Sequence, residues 1–103
     1  MQLDAAQLSH PDIYRILIGS IAPRPIAWVG SRSKDGINNP APFSFYNCFS
    51  SKPPIIGFSS IPRSDGRNKD TLQNIHDTRV FTLNTASYAL VQQMSKSAAT
   101  LEP

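Results

Sequence analysis

Hydroxyl and basic side chains are concentrated between positions 59 and 71, just before a predicted helix. They include Ser59, Ser60, Arg63, Arg67, Lys69 and Thr71. The first backbone N–H groups of a helix have no partner within it, and the helix dipole is positive at that end. Cations and hydroxyls placed there can therefore hold a phosphate group. The same pattern is also typical of a solvated loop before a capped helix, and no glycine-rich phosphate-binding motif accompanies it.

A second stretch, residues 38–49, carries four aromatic side chains among small polar ones. Alternation along a strand predicts that Phe43 and Phe45 point to one face, and that Ser44 and Tyr46 point to the other. One face can then pack against a core, while the other presents hydroxyl and backbone groups to a flat ligand. A plain strand with a half-buried aromatic face fits the same pattern, and Trp28 has the same two interpretations.

Side chains suited to covalent or acid–base catalysis are scarce. Cys48 has no neighbouring base in the sequence, and His76 stands beside Asp77 in a predicted helix. The two histidines are far apart and there is one cysteine, so no metal-ligand cluster is expected. A ligand site without catalytic side chains suggests a cofactor that performs the chemistry itself.

The elements that must position these stretches are short and are separated by prolines and turns. Strands are predicted over residues 26–31, 37–51, 55–60 and 79–84, and helices over residues 9–19, 70–77 and 88–99. Ser9 is the expected cap of the first helix, and Asp70 or Thr71 that of the second. Four strands with peripheral helices favour a small antiparallel barrel or sheet. Strands this few do not close a barrel, so edges should remain for a partner chain or further sequence to cover.

Composition narrows the class of protein further. The chain has 103 residues, of which 17% are charged and 9 are prolines, and a net charge of +3. These values indicate one domain and argue against a disordered chain or a helical bundle. No apolar run reaches the roughly 18 residues of a membrane span, and the first residues do not resemble a signal peptide. A single cysteine fits a reducing compartment, so we expect a cytoplasmic protein.

Five motifs occur in a consistent order along nearly the whole chain. They are residues 23–29, Asp35-Gly36 with Asn39, residues 41–47, residues 53–54 and residues 69–75. In this combination the sequence resembles the flavin reductase-like family of FMN-binding split-barrel proteins. That family includes flavoredoxins and the reductase components of two-component flavin monooxygenases.

The resemblance implies a mainly β fold with peripheral helices, a Greek-key split β-barrel. It also implies a homodimer that binds FMN near the subunit interface and reduces flavin with NADH or NADPH, with no catalytic side chain. The residues expected to line the flavin ring are Ala41, Pro42, Phe43, Ser44, Phe45 and Asn47. Those expected around the phosphate are Ser59, Ser60, Arg67, Lys69 and Thr71. A monooxygenase is a further expected partner, whereas nucleic acid and membrane are not.

Members of the family are about 200 residues long, which is about twice the length of this chain. We therefore expect residues 1–103 to form a single flavin reductase-like domain that corresponds to the N-terminal half to two-thirds of the usual one. The barrel would then be incomplete in one chain. Our leading hypothesis is an NAD(P)H-dependent FMN oxidoreductase, and the alternative is a non-catalytic flavin-binding or electron-carrying module. The basic charge and aromatic strand also suggest a nucleic-acid-binding barrel, but the aromatics are not interleaved with Lys or Arg.

Overall fold

The computed structural model describes residues 1–62 and 65–98, in which short strands are flanked by helices. The α-helices are α1 (His10–Ser20), α2 (Asp70–Thr78) and α3 (Val91–Lys96). The strands are β1 (Ala27–Arg32), β2 (Asn38–Phe43), β3 (Tyr46–Ser51), β4 (Pro54–Phe58) and β5 (Thr82–Asn84). Single 3-10 turns occur at Ala5–Gln7 and Tyr88–Leu90. The predicted arrangement of β-strands with peripheral helices is confirmed.

The strands form two antiparallel sheets. One has the order β2-β1-β5, and the other is the hairpin β3-β4. In the first sheet Ala27 pairs with Phe43 and Arg32 pairs with Asn38. The predicted Asp-Gly turn joins these two strands, with Gly36 at φ 88°. Glycine suits this position because side chains disfavour a positive φ.

The prediction of one strand over residues 37–51 is wrong, because two strands occupy this stretch. β2 ends at Phe43, the chain bends at Ser44 and Phe45, and β3 begins at Tyr46. Phe43 pairs with Ala27, the first residue of β1, and the chain before β1 contains Pro25. Proline has no N–H to extend a strand ladder, so pairing between the two strands stops there.

The core of the described residues is small. Ala27, Val29 and Phe43 are buried, and the partly buried side chains packed against them are Ala41, Tyr46, Phe58 and Leu83. The ring centres of Phe43 and Phe58 lie 5.0 Å apart. The expected alternation is therefore wrong, because Phe43 and Tyr46 both contact the core while Phe45 lies elsewhere. Because the chain bends at Ser44 and Phe45, the alternation of side chains along β2 does not continue into β3.

Helix α2 packs on the sheet through hydrogen bonds between buried polar side chains. Asn74 Nδ2 donates to Ser31 Oγ over 3.1 Å, and Asn39 Nδ2 donates to Thr71 Oγ1 over 3.0 Å. Ser31 Oγ donates in turn to the carbonyl of Asn39. Thr71 is 1% exposed and Asn74 is 6% exposed. These four residues, called here the polar network, join α2 to β1 and β2.

The ends of the helices agree with the sequence at α1 but not at α2. Ser9 Oγ accepts a hydrogen bond from the backbone N–H of Asp12, as expected of an N-cap. The N-cap of α2 is Lys69, which makes no side-chain cap bond. The expected cap by Asp70 or Thr71 is wrong, because Asp70 is already the first helical residue and the Thr71 hydroxyl faces Asn39.

The last elements are shorter than predicted. Helix α2 ends at Thr78. The next residue, Arg79, has a left-handed conformation with φ 64°, and β5 starts only at Thr82. The predicted helix over residues 88–99 consists of a 3-10 turn and α3, and position 99 lies outside the described residues. The indole N–H of Trp28 donates to Ser97 Oγ over 3.1 Å, which gives Trp28 a structural role. No helix among residues 1–62 and 65–98 is long and apolar enough to span a membrane.

Candidate functional site

A crevice lies between the C-terminal end of α1 and the hairpin β3–β4. Its wide lobe has a volume of about 450 Å³. The walls are mostly apolar and include Leu17, Ile21, Phe45, Phe49 and Phe58. This volume and lining are typical of a small-molecule binding site.

The crevice continues into a narrow lobe of about 130 Å³. Ser44, Phe45 and Ser59 line both lobes, so the two are adjacent. The narrow lobe is also lined by Tyr14, Pro42, Phe43, Ile61 and Lys69. The Phe-rich stretch and the basic stretch that the sequence singled out therefore share one crevice.

The bend at Ser44 and Phe45 forms the boundary between the two lobes. The backbone N–H of Ser59 donates to the carbonyl of Phe45 over 2.9 Å, which holds the end of β4 against the bend. The ring of Phe45 lies 6.0 Å from that of Tyr14 on α1. Because both flanking elements contact it, this bend determines the width of the crevice.

Lys69 supplies positive charge to the narrow lobe. Its Nζ lies 5.4 Å from the ring centre of Phe43, a cation–π contact that directs the partly buried side chain along the aromatic wall. Lys69 is also the N-cap of α2, and its own side chain makes no cap hydrogen bond. A cation beside a helix start is suited to an anionic ligand.

Two serines follow β4, and the first of them lines the narrow lobe. Ser59 is exposed within the crevice, and Ser60 comes next in the chain. Ser60 Oγ is buried and has no hydrogen-bond partner among residues 1–62 and 65–98. Burial of an unpaired hydroxyl is unfavourable.

The remaining residues predicted for the site have several different surroundings. The Thr71 hydroxyl belongs to the polar network, and Ala41 lies in β2 against the core. The Arg67 side chain is 71% exposed and bonds Asp65 through its Nε over 2.8 Å. Asn47 lines the wide lobe, where its Oδ1 accepts from the N–H of Cys48. Arg63 lies outside the described residues.

The sequence did not single out the side chains that α1 and its following loop give to the crevice. Tyr14, Leu17 and Ile21 line it, and so does Arg24. Arg24 stands between two prolines in the sequence, which is an unusual setting for a cation and the one signal that could have drawn attention to it. Its role depends on carbonyl groups at the end of α1, which no local pattern reveals.

Comparison with known proteins identifies the family. Residues 19–101 match the family described as "Flavin reductase like domain". The chain belongs to this family. The resemblance based on the five motifs is thereby confirmed for most of this flavin reductase-like chain.

Solved structures with the same fold support this assignment. Nitrilotriacetate monooxygenase component B from Bacillus cereus superposes with a TM-score of 0.89 at 33% identity, over 100% of this chain and 50% of that one. The 2-nitrobenzoate 2-nitroreductase NbaA from Pseudomonas fluorescens gives 0.81 at 27%, over 98% and 48%. A flavin reductase with a split barrel domain from Shewanella frigidimarina gives 0.70 at 20%, over 99% and 50%.

The third of these shows the fold alone, and it confirms the predicted split barrel. The flavin reductase-like chain spans about half the length of the curated relatives it matches, covering 48%, 49% and 48% of three of them.

Proposed function

We propose that the chain is the flavin-binding part of an NAD(P)H-dependent FMN oxidoreductase. One observation carries this proposal: Lys69 and the Phe-rich bend line the narrow lobe together, and the same bend lines the adjacent wide lobe. The apolar wide lobe suits a flat ring system, and the narrow lobe, with its cation and hydroxyls, suits a phosphate group. Family membership supports flavin as the ligand.

The residues present fit FMN on three counts. Lys69 offers a cation at the narrow lobe, and Ser60 Oγ is a buried hydroxyl without a partner in the described part of the chain. The Lys69 side chain makes no cap hydrogen bond at the start of α2. We propose that Lys69, Ser59 and Ser60 hold the phosphate, that Ser44, Phe45 and Asn47 border the ring in the wide lobe, and that Pro42 and Phe43 border the flavin from the narrow lobe. Bound FMN would supply the chemistry by accepting a hydride from NADH or NADPH.

The chain's own contribution is then binding and orientation. No cluster of three or more metal-ligating side chains occurs in the residues that the structure describes. The crevice walls are apolar rings and aliphatic side chains, which exclude water from a bound ring. Orientation of this kind lowers the barrier to hydride transfer without a protein acid or base.

The assembly and partners belong to the same proposal. We propose a cytoplasmic homodimer. The reason for proposing a dimer is that the described residues bury only Ala27, Val29 and Phe43 as apolar core and expose several large apolar side chains. Phe49 and Val80 are 71% and 67% exposed. The similarity to a monooxygenase component leads us to propose a monooxygenase as the acceptor of reduced flavin.

A non-catalytic flavin-binding or electron-carrying module is the second candidate. The observation that favours it is the span of the chain, about half the length of its curated relatives. Such a module would bind FMN without oxidising NADH or NADPH.

Titration with two ligands tests both candidates. FMN and riboflavin share the ring, but only FMN has the phosphate, so we expect FMN to bind at least tenfold more tightly by fluorescence quenching. Unchanged flavin fluorescence at micromolar protein would exclude both candidates. Loss of absorbance at roughly 340 nm on adding NADH or NADPH with FMN supports the oxidoreductase, and binding without that loss supports the module. Light scattering measures the molar mass in solution and so tests the proposed dimer.

A further inference from the structure

Arg24 connects three parts of the crevice wall. Its Nη1 donates to two backbone carbonyls at the end of α1, those of Ile18 over 2.9 Å and Ile21 over 2.8 Å. Its Nε donates to Ser44 Oγ over 3.4 Å. The guanidinium carbon lies 5.6 Å from the ring centre of Phe45. One side chain thus joins the end of α1 to both residues of the bend.

Arginine is suited to this position by its shape. The planar guanidinium has five N–H donors in fixed directions, so it can bond carbonyls on one side and a hydroxyl on another. A lysine ammonium has the same charge but cannot reach both sets of acceptors along one rigid plane. The carbonyls at a helix C-terminus also favour a cation electrostatically.

Within residues 1–62 and 65–98, no second hydrogen bond joins the end of α1 to the bend. The Phe45–Tyr14 ring contact is 6.0 Å and tilted, and α1 buries none of its residues. Within the described ranges no carboxylate forms an ion pair with Arg24, although Arg15 pairs with Asp12 and Arg67 with Asp65. The guanidinium therefore makes its hydrogen bonds and its ring contact with residues of the crevice wall.

We propose that Arg24 is the positioning residue of the crevice. Its guanidinium holds Ser44 and Phe45 at a fixed distance from the end of α1, and this sets the width of the wide lobe. This inference rests on the proposed function for its consequence on flavin binding. The claim that Arg24 fixes the position of the bend concerns the chain alone and is tested without flavin.

The flavin-free test measures amide hydrogen exchange by NMR. The N–H of Ser59 bonds the carbonyl of Phe45, so its exchange rate reports whether the bend is held. We expect Arg24→Met to raise this rate at least tenfold relative to the amides of β1. Arg15→Met is the matched control, because it removes an equal charge from α1 at a side chain 78% exposed. It should leave the rate unchanged.

Two further variants keep the test informative. Arg24→Lys restores the charge without the planar donors, and we expect it to recover less than half of the lost protection. If Arg24→Met does not fold, Ser44→Ala removes one acceptor of the guanidinium and should raise the rate several-fold. Equal Ser59 exchange in wild type, Arg24→Lys and Ser44→Ala would overturn the positioning role.

Binding provides the second readout. We expect Arg24→Met to weaken FMN and riboflavin by the same factor, at least tenfold, because Arg24 acts on the ring end of the crevice. Asn74→Ala removes a hydrogen bond of the polar network, lines neither lobe and controls for stability, so it should change neither affinity more than twofold. If wild type binds no flavin, the proposed function fails while the exchange rates still decide the positioning role. Loss of FMN binding alone, with riboflavin binding unchanged, would overturn the assignment of Arg24 to the ring end.

Discussion

The two longer helices are attached to the strands in opposite ways. Helix α2 buries Thr71 and Asn74 against the first sheet, and each bonds a side chain from a neighbouring strand. Helix α1 buries none of its residues and is held through Arg24 and the ring of Phe45. The buried side chains of α2 are hydrogen-bonded, whereas open space lies between α1 and the hairpin β3–β4 and extends to a narrow lobe lined by Lys69 at the start of α2. Satisfied polar groups stabilise a fold, and unfilled space with a cation and hydroxyls nearby suits a ligand.

Two neighbouring phenylalanines separate these regions most sharply. Phe43 is 5% exposed, packs in the core and reaches the narrow lobe, whereas Phe45 lines both lobes of the crevice. We expect Phe43→Ala to lower the free energy of unfolding by about 3–5 kcal/mol, and Phe45→Ala by less than about 2 kcal/mol. Urea unfolding followed by circular dichroism measures both values. FMN affinity should show the reverse order among folded variants, with Phe45→Ala the weaker binder.

The smaller change Phe43→Leu is needed if Phe43→Ala is unfolded from the outset. It keeps the side chain apolar and should still cost more stability than Phe45→Leu. Equal losses of stability at the two positions would contradict the division between a core side and a ligand side.

The polar network offers the second comparison, within α2 itself. Asn74→Ala leaves Ser31 Oγ without its donor and opens space beside the sheet, so we expect a loss of about 2–3 kcal/mol in unfolding free energy. Gln73→Ala is the matched control, because its amide bonds only Asp77 on the exposed face of the same helix. It should cost less than about 0.5 kcal/mol. Similar losses for the two variants, measured in urea, would show that the network adds little.

Local signals were sufficient to predict much of the fold. Ser9 before Asp12 gave the start of α1, and Asp35-Gly36 gave the turn between β1 and β2. In both cases the decisive contact joins residues within four positions of each other. The break at Ser44 was not predictable in this way, because it depends on where β1 begins, some 17 positions earlier.

The candidate site was predictable to a similar extent. Lys69, Ser59 and Phe45 were singled out by residue type, and the fold brings them into one crevice. The direction of the Thr71 hydroxyl depends on Asn39, which is 32 positions away. The role of Arg24 depends on carbonyls that only the finished helix presents. Contacts between distant segments therefore account for what the sequence did not reveal.

Lys69 and Arg67 provide the third comparison, between a cation in the crevice and one outside it. We expect Lys69→Ala to weaken FMN by roughly 1–3 kcal/mol, the range for a charge-assisted hydrogen bond, and to leave riboflavin binding unchanged. Arg67→Ala should weaken FMN less than threefold, because its side chain is 71% exposed and bonded to Asp65. Fluorescence titration with both ligands measures these affinities. A larger loss of FMN affinity in Arg67→Ala than in Lys69→Ala would indicate that the phosphate binds outside the narrow lobe.

Thr71 gives the smallest expected effect, and it separates the two roles that one residue at a helix start can have. Its sequence position suggested a phosphate ligand, whereas its hydroxyl accepts from Asn39 and is 1% exposed. Thr71→Val keeps the shape and removes that acceptor, so we expect a loss of about 1 kcal/mol in stability and less than a twofold change in FMN affinity. Thr71→Ser retains the hydroxyl and should preserve the bond to Asn39. If Thr71→Val weakens FMN tenfold while Thr71→Ser does not, the hydroxyl turns towards the ligand when FMN binds. The polar network would then be part of the binding site, and the contrast between the two helices would apply only to the flavin-free protein.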